Sequence, residues 1–233
     1  MKGSIRENML NHLGFIEQAI GLDADLIIFP ELSITNYEPS LARELAIGNG
    51  AEPFRSIQEL SNSGNISVGM GMPTIEKGEV FISMLIYQPH EMRKVYSKQL
   101  LHDDEQPYFT SGKEQVYLFV NDIKVAVGIC YETLQREHFE NAWGRDFDVY
   151  VASVAKSQNG IKKAHEHFSK ISGEFKTPIL MSNSIEPSDD FTAAGQSAVR
   201  NENGMLLEQL DDRSEGILWF DTRSSQTGVE MRN

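Results

Sequence analysis

Three side chains with complementary chemistry share one kind of address in this sequence. Glu31 follows the apolar run Ala24-Asp-Leu-Ile-Ile-Phe-Pro30, Lys98 ends the run Met92 to Ser97, and Cys130 ends Lys124-Val-Ala-Val-Gly-Ile. Short apolar runs rich in Val and Ile and bounded by turns read as buried strands. In α/β sheets the ligand crevice forms at the C-terminal strand ends, so three separate segments would bring a carboxylate, an ammonium and a thiol to one pocket. That set is complete for acyl transfer. The thiol attacks a carbonyl or nitrile carbon, the carboxylate takes its proton and returns it to a leaving amine, and the ammonium stabilises the oxyanion. The backbone N–H of Tyr131, next to the thiol, is a natural second oxyanion donor. Each residue alone has an ordinary reading as well. A free cysteine is commonly a small core hydrophobe, and a Glu or Lys after a strand is commonly a solvated loop residue.

The elements that must position these groups follow from periodicity. Ser4-Ile-Arg-Glu7 has the form of a capping box ahead of Met9, Leu13, Ile16 and Ile20 at helical spacing, which predicts an amphipathic helix ending near Gly21. Further helices are expected at about 40–46 and 53–61. Ile66 to Met72 and Val80 to Tyr87 predict a hairpin across Lys77-Gly78. Leu100 to Gly112 is a polar loop of a length associated with function. Gln115 to Val120 and Lys124 to Ile129 predict a second hairpin. A helix over Leu134 to Trp143 would then place Cys130 near a helix N-terminus, whose dipole favours a thiolate. Strands at 148–155, 178–182 and 217–221, a helix at 159–176 and a hairpin at 195–210 complete the pattern. Strands alternating with helices imply a largely parallel sheet, and the hairpins add antiparallel pairs. Both suit an α/β sandwich with sheets inside and helices outside.

Composition narrows the classes. A chain of 233 residues, 40% hydrophobic and 24% charged, matches a soluble globular protein. A net charge of −13 argues against nucleic acid or an anionic membrane surface as partner. The single cysteine excludes an intrachain disulfide framework and a cysteine-rich zinc site, and suits a reducing, cytoplasmic setting. No apolar run has the length of a membrane span, and no secretory signal pattern opens the chain.

Three segments carry a family resemblance: Phe29-Pro-Glu31-Leu-Ser-Ile-Thr-Asn-Tyr37, Tyr96-Ser-Lys98-Gln-Leu100 and Gly128-Ile-Cys130-Tyr-Glu132. In order, spacing and flanking residues the chain resembles the nitrilase (carbon–nitrogen hydrolase) superfamily over nearly its whole length. That resemblance implies a four-layer α-β-β-α sandwich, here without its usual first strand, and pairing of copies into a homodimer or higher oligomer. The length suits a single domain over 1–233, and its Ser/Thr/Gly-rich end, about 223–233, is expected to be a loose tail. It implies Glu31 as general base, Lys98 as oxyanion lysine and Cys130 as nucleophile. Glu105 corresponds to the second glutamate, which with Tyr131 would orient substrate. No metal or organic cofactor is implied. Glu174 and Asn183 match the family's Glu-Asn…Asn segment in part, and Gly195-Gln-Ser197 its Gly-x-Ser strand. Departures are specific. The usual first strand has no counterpart ahead of Ser4, Asn36 stands where Gly is usual, and Leu134-Gln-Arg136 replaces Arg-Phe-Pro. The aromatic residue common after the next strand is absent from Ala155-Lys156-Ser157.

The expected activity is that of an amidase cleaving a small linear amide through a Cys130 thioester. Nitrile hydrolysis, acyl transfer to an acceptor other than water, and a non-catalytic binding protein of this fold are the alternatives. His102, His138, His165 and His167 raise a Cys–His peptidase reading, but none sits at a strand end, and His165-Xaa-His167 on a helix points to different faces. Ser197 lacks the second glycine of a nucleophile elbow. Val68-Gly-Met-Gly71-Met-Pro73 lacks the third glycine of a dinucleotide fingerprint, and its glycines suit tight sheet packing or close approach to the Glu31 loop.

Overall fold

A computed structural model describes residues 2–48, 54–185 and 187–232, which divide between two compact units, Met1–Val116 and Tyr117–Asn233. The first unit opens on helix α1 (Ile5–Gly21), which buries Asn8, His12, Phe15, Ile16 and Ala19 on one face. Ser4 holds the N-cap position, but its side chain makes no capping bond. Gly3, at φ +63°, ties the chain to Thr35 instead, and Ser4 contributes only its carbonyl, to Asn8 N–H. Strand β1 (Leu26–Ile28) follows, then a 3-10 turn (Pro39–Leu41) running into α2 (Ala42–Leu45) and the two-residue β2 (Ile47–Gly48). The helix expected at about 40–46 is thus split into a 3-10 first turn, with Pro39 at its start, and α2. Helix α3 (Arg55–Gly64) ends on Asn65 in a left-handed conformation; the Pro53 start expected for it lies outside the described residues.

Strands β3 (Ser67–Glu76), β4 (Glu79–Tyr87) and β5 (Lys94–Ser97) complete a five-stranded sheet ordered β1-β3-β4-β5, with β2 alongside β3. β1 runs parallel to β3, with Ile28 opposite Gly69, while β3, β4 and β5 are antiparallel. Lys77 and Gly78 both take positive φ, as a two-residue hairpin requires. β5 ends immediately before Lys98, and Phe29 and Pro30 lead from β1 to Glu31.

The second unit holds β6 (Tyr117–Val120), β7 (Ile123–Ile129), a 3-10 turn (Cys130–Leu134) and α4 (Arg136–Trp143). β8 (Val149–Val154), α5 (Gln158–Phe175), β9 (Ile179–Asn183), β10 (Ala198–Arg200) and β11 (Leu206–Gln209) follow. The sheet order is β11-β10-β9-β8-β7-β6, with β7, β8 and β9 parallel and the flanking pairs antiparallel. Phe139 and Ala142 of α4, and Ile161, Ala164, Phe168 and Ile171 of α5, bury their apolar faces together with Tyr150, Ala152, Val154 and Met181 of the sheet. A fully buried Phe such as Phe139 contributes roughly 2 to 3 kcal/mol.

Two expectations change here. The segment after Cys130 is not the start of an α-helix: a 3-10 turn intervenes, and α4 begins only at Arg136. Cys130 has φ +47°, and Thr133 Oγ1 donates to the Cys130 carbonyl, so the chain coils tightly before the helix can propagate. The expected loose tail also contains a strand, β13 (Thr227–Met231), paired antiparallel with β12 (Gly216–Phe220). The Asp221 carboxylate closes the intervening turn by accepting from Arg223 N–H and Ser224 Oγ. No helix among the described residues is long and apolar enough to cross a membrane.

Candidate active site

In the first unit, Lys98 is wholly buried and its Nζ donates to two carboxylates, Glu105 Oε1 at 2.6 Å and Glu31 Oε1 at 2.9 Å. Tyr37 Oη donates to Glu105 Oε1 at 3.0 Å, and His102 N–H donates to Glu105 Oε2 at 2.8 Å. Removing three charged groups from water is strongly unfavourable unless geometry and hydrogen bonds compensate. Here Lys98 makes two charge-assisted hydrogen bonds, the one to Glu105 short at 2.6 Å.

The backbone around these groups is fixed with equal care. Gly71 of β3 lies against the Glu31 loop so closely that a Cβ there would stand 2.2 Å from Leu32 N and 2.6 Å from Pro30 O. Ile34 N–H donates to Gly71 O, and Gly71 N–H donates to Ser33 Oγ. α1 grips the same loop: Asn8 Nδ2 donates to Ile34 O, His12 Nε2 meets Ser33 Oγ at 2.9 Å, and the His12 ring stacks on Phe29. Asn36 takes φ +64°, the left-handed conformation that asparagine tolerates where the family usually has Gly. Lys98 is held by its main chain to Ile82 O and Gly112 N.

In the second unit β7 delivers Cys130 into the tight turn. Glu132 is fully buried and bends back so that its Oε1 accepts Ile129 N–H at 2.7 Å. Cys130, half-buried, has its Sγ 3.8 Å from Ala155 O and 3.4 Å from Lys156 Nζ. Lys156 N–H donates to Asn183 Oδ1, and Asn183 Nδ2 returns a bond to Lys156 O. Tyr131 follows Cys130 in the same turn.

The family model for carbon-nitrogen hydrolases matches residues 2–228. The chain belongs to that family. Among similar proteins, a probable nitrilase of Schizosaccharomyces pombe is 21% identical over 84% of this chain and 74% of its own length. A glutamine-dependent NAD(+) synthetase of Synechocystis is 25% identical over 98% of this chain, which spans 46% of that enzyme's length. In fold, this hydrolase matches an amidase of Nesterenkonia sp. AN1 with a TM-score of 0.83 at 18% identity, over 91% of this chain and 86% of that one. Variants of that amidase have been solved with acrylamide and with butyramide. The mixed α/β fold of the nitrilase superfamily is thus the fold of this chain.

The remaining candidates sort by environment. His138 is buried, pushed down to about 4 by loss of solvent, with Tyr150 Oη 3.2 Å from its Nδ1. His165 meets Arg200, and burial lowers it, as it lowers His167. His102 is exposed and paired with Asp104. Glu174 is exposed and forms a double ion pair with Arg136, so its partial match to the family segment is a surface contact in this hydrolase. Asn183 and Ser197 are buried together, Ser197 Oγ accepting from Asn183 N–H. Among the described residues no group of three or more His, Cys, Asp or Glu is placed to hold a metal ion. Lys156 is the functional candidate that motif spacing misses. Its only prior signal is strand adjacency: β7 and β8 are parallel neighbours with Ile129 opposite Ser153, so residues just past β8 lie beside those just past β7.

Proposed function

We propose that this carbon–nitrogen hydrolase is an amidase that cleaves a small linear amide through a Cys130 thioester. The Sγ proton passes to Glu31, and the sulfur forms a bond to the amide carbon. The carbonyl π pair moves to oxygen, where Lys98 and the Tyr131 N–H receive the charge. Collapse breaks the C–N bond as Glu31 returns the proton to the departing amine. Glu31 then deprotonates a water that attacks the thioester, releasing a carboxylate and restoring the thiol. Glu105 holds Lys98 in place throughout.

The observation that carries this reading is the burial of Lys98 between Glu31 and Glu105. A buried ion cluster is a weak stabilising device, whereas a pre-oriented ammonium in a dry setting is well suited to a developing oxyanion. The small amides bound by the Nesterenkonia amidase support a linear substrate. The coverage by the Synechocystis synthetase favours a glutamine-type side-chain amide as the second choice, its ammonia passed to another reaction. A cytoplasmic enzyme acting as a homodimer or larger assembly belongs to the same reading; sedimentation of the purified chain tests the pairing.

The deciding experiment follows ammonia release from a panel of linear amides, glutamine and nitriles, alongside intact-protein mass spectrometry. An acyl adduct and ammonia release, both absent in Cys130→Ala, are expected. A folded Cys130→Ala protein that still turns over amide would remove the mechanism.

A further inference from the structure

We propose that Lys156 is a second catalytic cation of this enzyme, whose ammonium holds Cys130 as a thiolate before substrate is attacked. The inference rests on Cys130 being the nucleophile. It starts from a contact: Lys156 Nζ lies 3.4 Å from Cys130 Sγ and 3.5 Å from the Cys130 carbonyl oxygen. Lys156 is 6% exposed, and both acceptors its ammonium reaches among the described residues belong to Cys130. A neutral thiol is a poor acceptor for a buried ammonium. A thiolate is a full counter-charge. The arrangement is therefore electrically complete only when the sulfur has lost its proton.

The position is built rather than adopted by a free side chain. Asn183 clasps both the N–H and the carbonyl of Lys156, and Ala194 N–H donates to the same carbonyl at 2.8 Å. The stem lies on the first turn of α5 at Gly160, where a Cβ would meet Lys156 Cβ at 3.3 Å and Cγ at 3.6 Å. Any side chain there would press on the stem. Because α4 starts only at Arg136, its N-terminus does not stand at Cys130, and the nearby cation at the sulfur is Lys156.

The other ionisable groups around the turn do not compete. Glu132 is turned back onto Ile129 N–H, with His138 Nε2 3.7 Å from it. His138 is kept neutral by burial, and Tyr150 is held far above its ordinary range by burial and by the Glu132 charge. His167 of α5 is lowered by burial and then by Lys156 itself. Glu31, Lys98 and Glu105 are the charged groups that the proposed reaction adds.

The two lysines then divide the work. The S–H bond breaks with its electron pair left on sulfur and its proton on Glu31, and Lys156 donates an N–H to the anion. As the S–C bond forms, the charge leaves sulfur for the carbonyl oxygen and passes to Lys98. In deacylation Lys156 again receives the thiolate as the leaving group.

Cys130 is the sole cysteine, so its alkylation by iodoacetamide, followed by intact mass as a function of pH, reads its ionisation with no substrate present. The wild-type midpoint is expected below the ordinary thiol value of about 8.5. Lys156→Met should raise it by about one to three pH units, and Lys156→Arg should keep it low. A wild-type midpoint at or above the ordinary value overturns the proposal and needs no variant to fold. An unmoved midpoint in folded Lys156→Met overturns it as well. Ammonia release separates the two readings. A midpoint that moves in a protein turning over no amide leaves the ion pair standing and removes the amidase. Cys130-dependent turnover with an unmoved midpoint does the reverse.

Discussion

Lys98 Nζ and Glu105 Oε1 approach to 2.6 Å with both side chains out of solvent, closer than the 2.9 Å between Lys98 and Glu31. Glu105 also accepts Tyr37 Oη and His102 N–H, so it anchors the lysine. Glu105→Gln keeps the volume and loses the charge. It should lower kcat by about 100-fold or more, the scale of losing an oxyanion donor's alignment, and lower stability by about 1 to 3 kcal/mol. Lys98→Met should be worse for the fold, by about 3 to 5 kcal/mol, because it leaves two buried carboxylates facing each other. Urea titrations beside ammonia release check both. A Glu105→Gln enzyme with wild-type kcat would show that Lys98 does not need its anchor.

Gly71 is predicted to tolerate no side chain. An alanine Cβ there meets backbone on three sides, at Leu32 N, Pro30 O and Glu31 C, and backbone cannot rotate aside. Gly71→Ala should therefore destabilise by about 1 to 3 kcal/mol or more and displace Glu31, with turnover falling further than stability accounts for. Gly144→Ala is the control, since its nearest neighbour, Glu140 O, stands at an ordinary 3.6 Å. Equal effects at the two positions would refute the close approach.

The strands that carry Glu31, Lys98 and Cys130 were visible in the sequence because short Val- and Ile-rich runs alternate with turn signals, and period and length survive folding. Gly71's approach to the Glu31 loop was legible too, since a glycine in that apolar strand suits tight packing or close approach to the loop. The turn at Cys130 was not, because hydrophobic spacing does not distinguish a 3-10 turn from a first α-helical turn; Glu132 reaching back to Ile129 N–H is a side-chain decision. Strand β13 was hidden by composition: Thr227-Gly-Val-Glu-Met is weakly apolar and gains its order from pairing with β12. Lys156 was hidden for another reason. A lysine after a strand is ordinarily solvated, and only the parallel neighbourhood of β7 and β8, together with the Asn183 clasp, turns its ammonium inward.

Gly128 of β7 makes a coupled prediction. A Cβ there would lie 2.1 Å from Tyr150 Oη and 2.9 Å from Thr133 Cγ2, so Gly128→Ala forces apart β7 and the turn that presents Cys130. Destabilisation of about 1 to 3 kcal/mol is expected. Tyr150→Phe removes the nearest atom, so the double variant should be less damaged than the sum of the single ones, with a coupling of about 0.5 to 3 kcal/mol. Thermal melts of the four proteins measure that coupling, and strict additivity would place the Tyr150 hydroxyl elsewhere.

His138 sets an acid limit on the second unit. Burial pushes its imidazole down to about 4, with Tyr150 Oη 3.2 Å from Nδ1 and Glu132 Oε1 3.7 Å from Nε2. In the unfolded chain the same imidazole titrates near its ordinary value of about 6.5. Between these two values the unfolded state binds the proton and the folded state does not. The contribution of His138 to stability is therefore complete above about pH 6.5 and is lost progressively as pH falls to about 4. The loss amounts to about 3 kcal/mol. Unfolding free energies of wild type and His138→Gln, measured across that window, should converge as pH falls. His165 and His167 shift in the same direction but are common to both proteins and cancel in the difference. Parallel curves would mean that His138 takes its proton as readily in the fold as outside it.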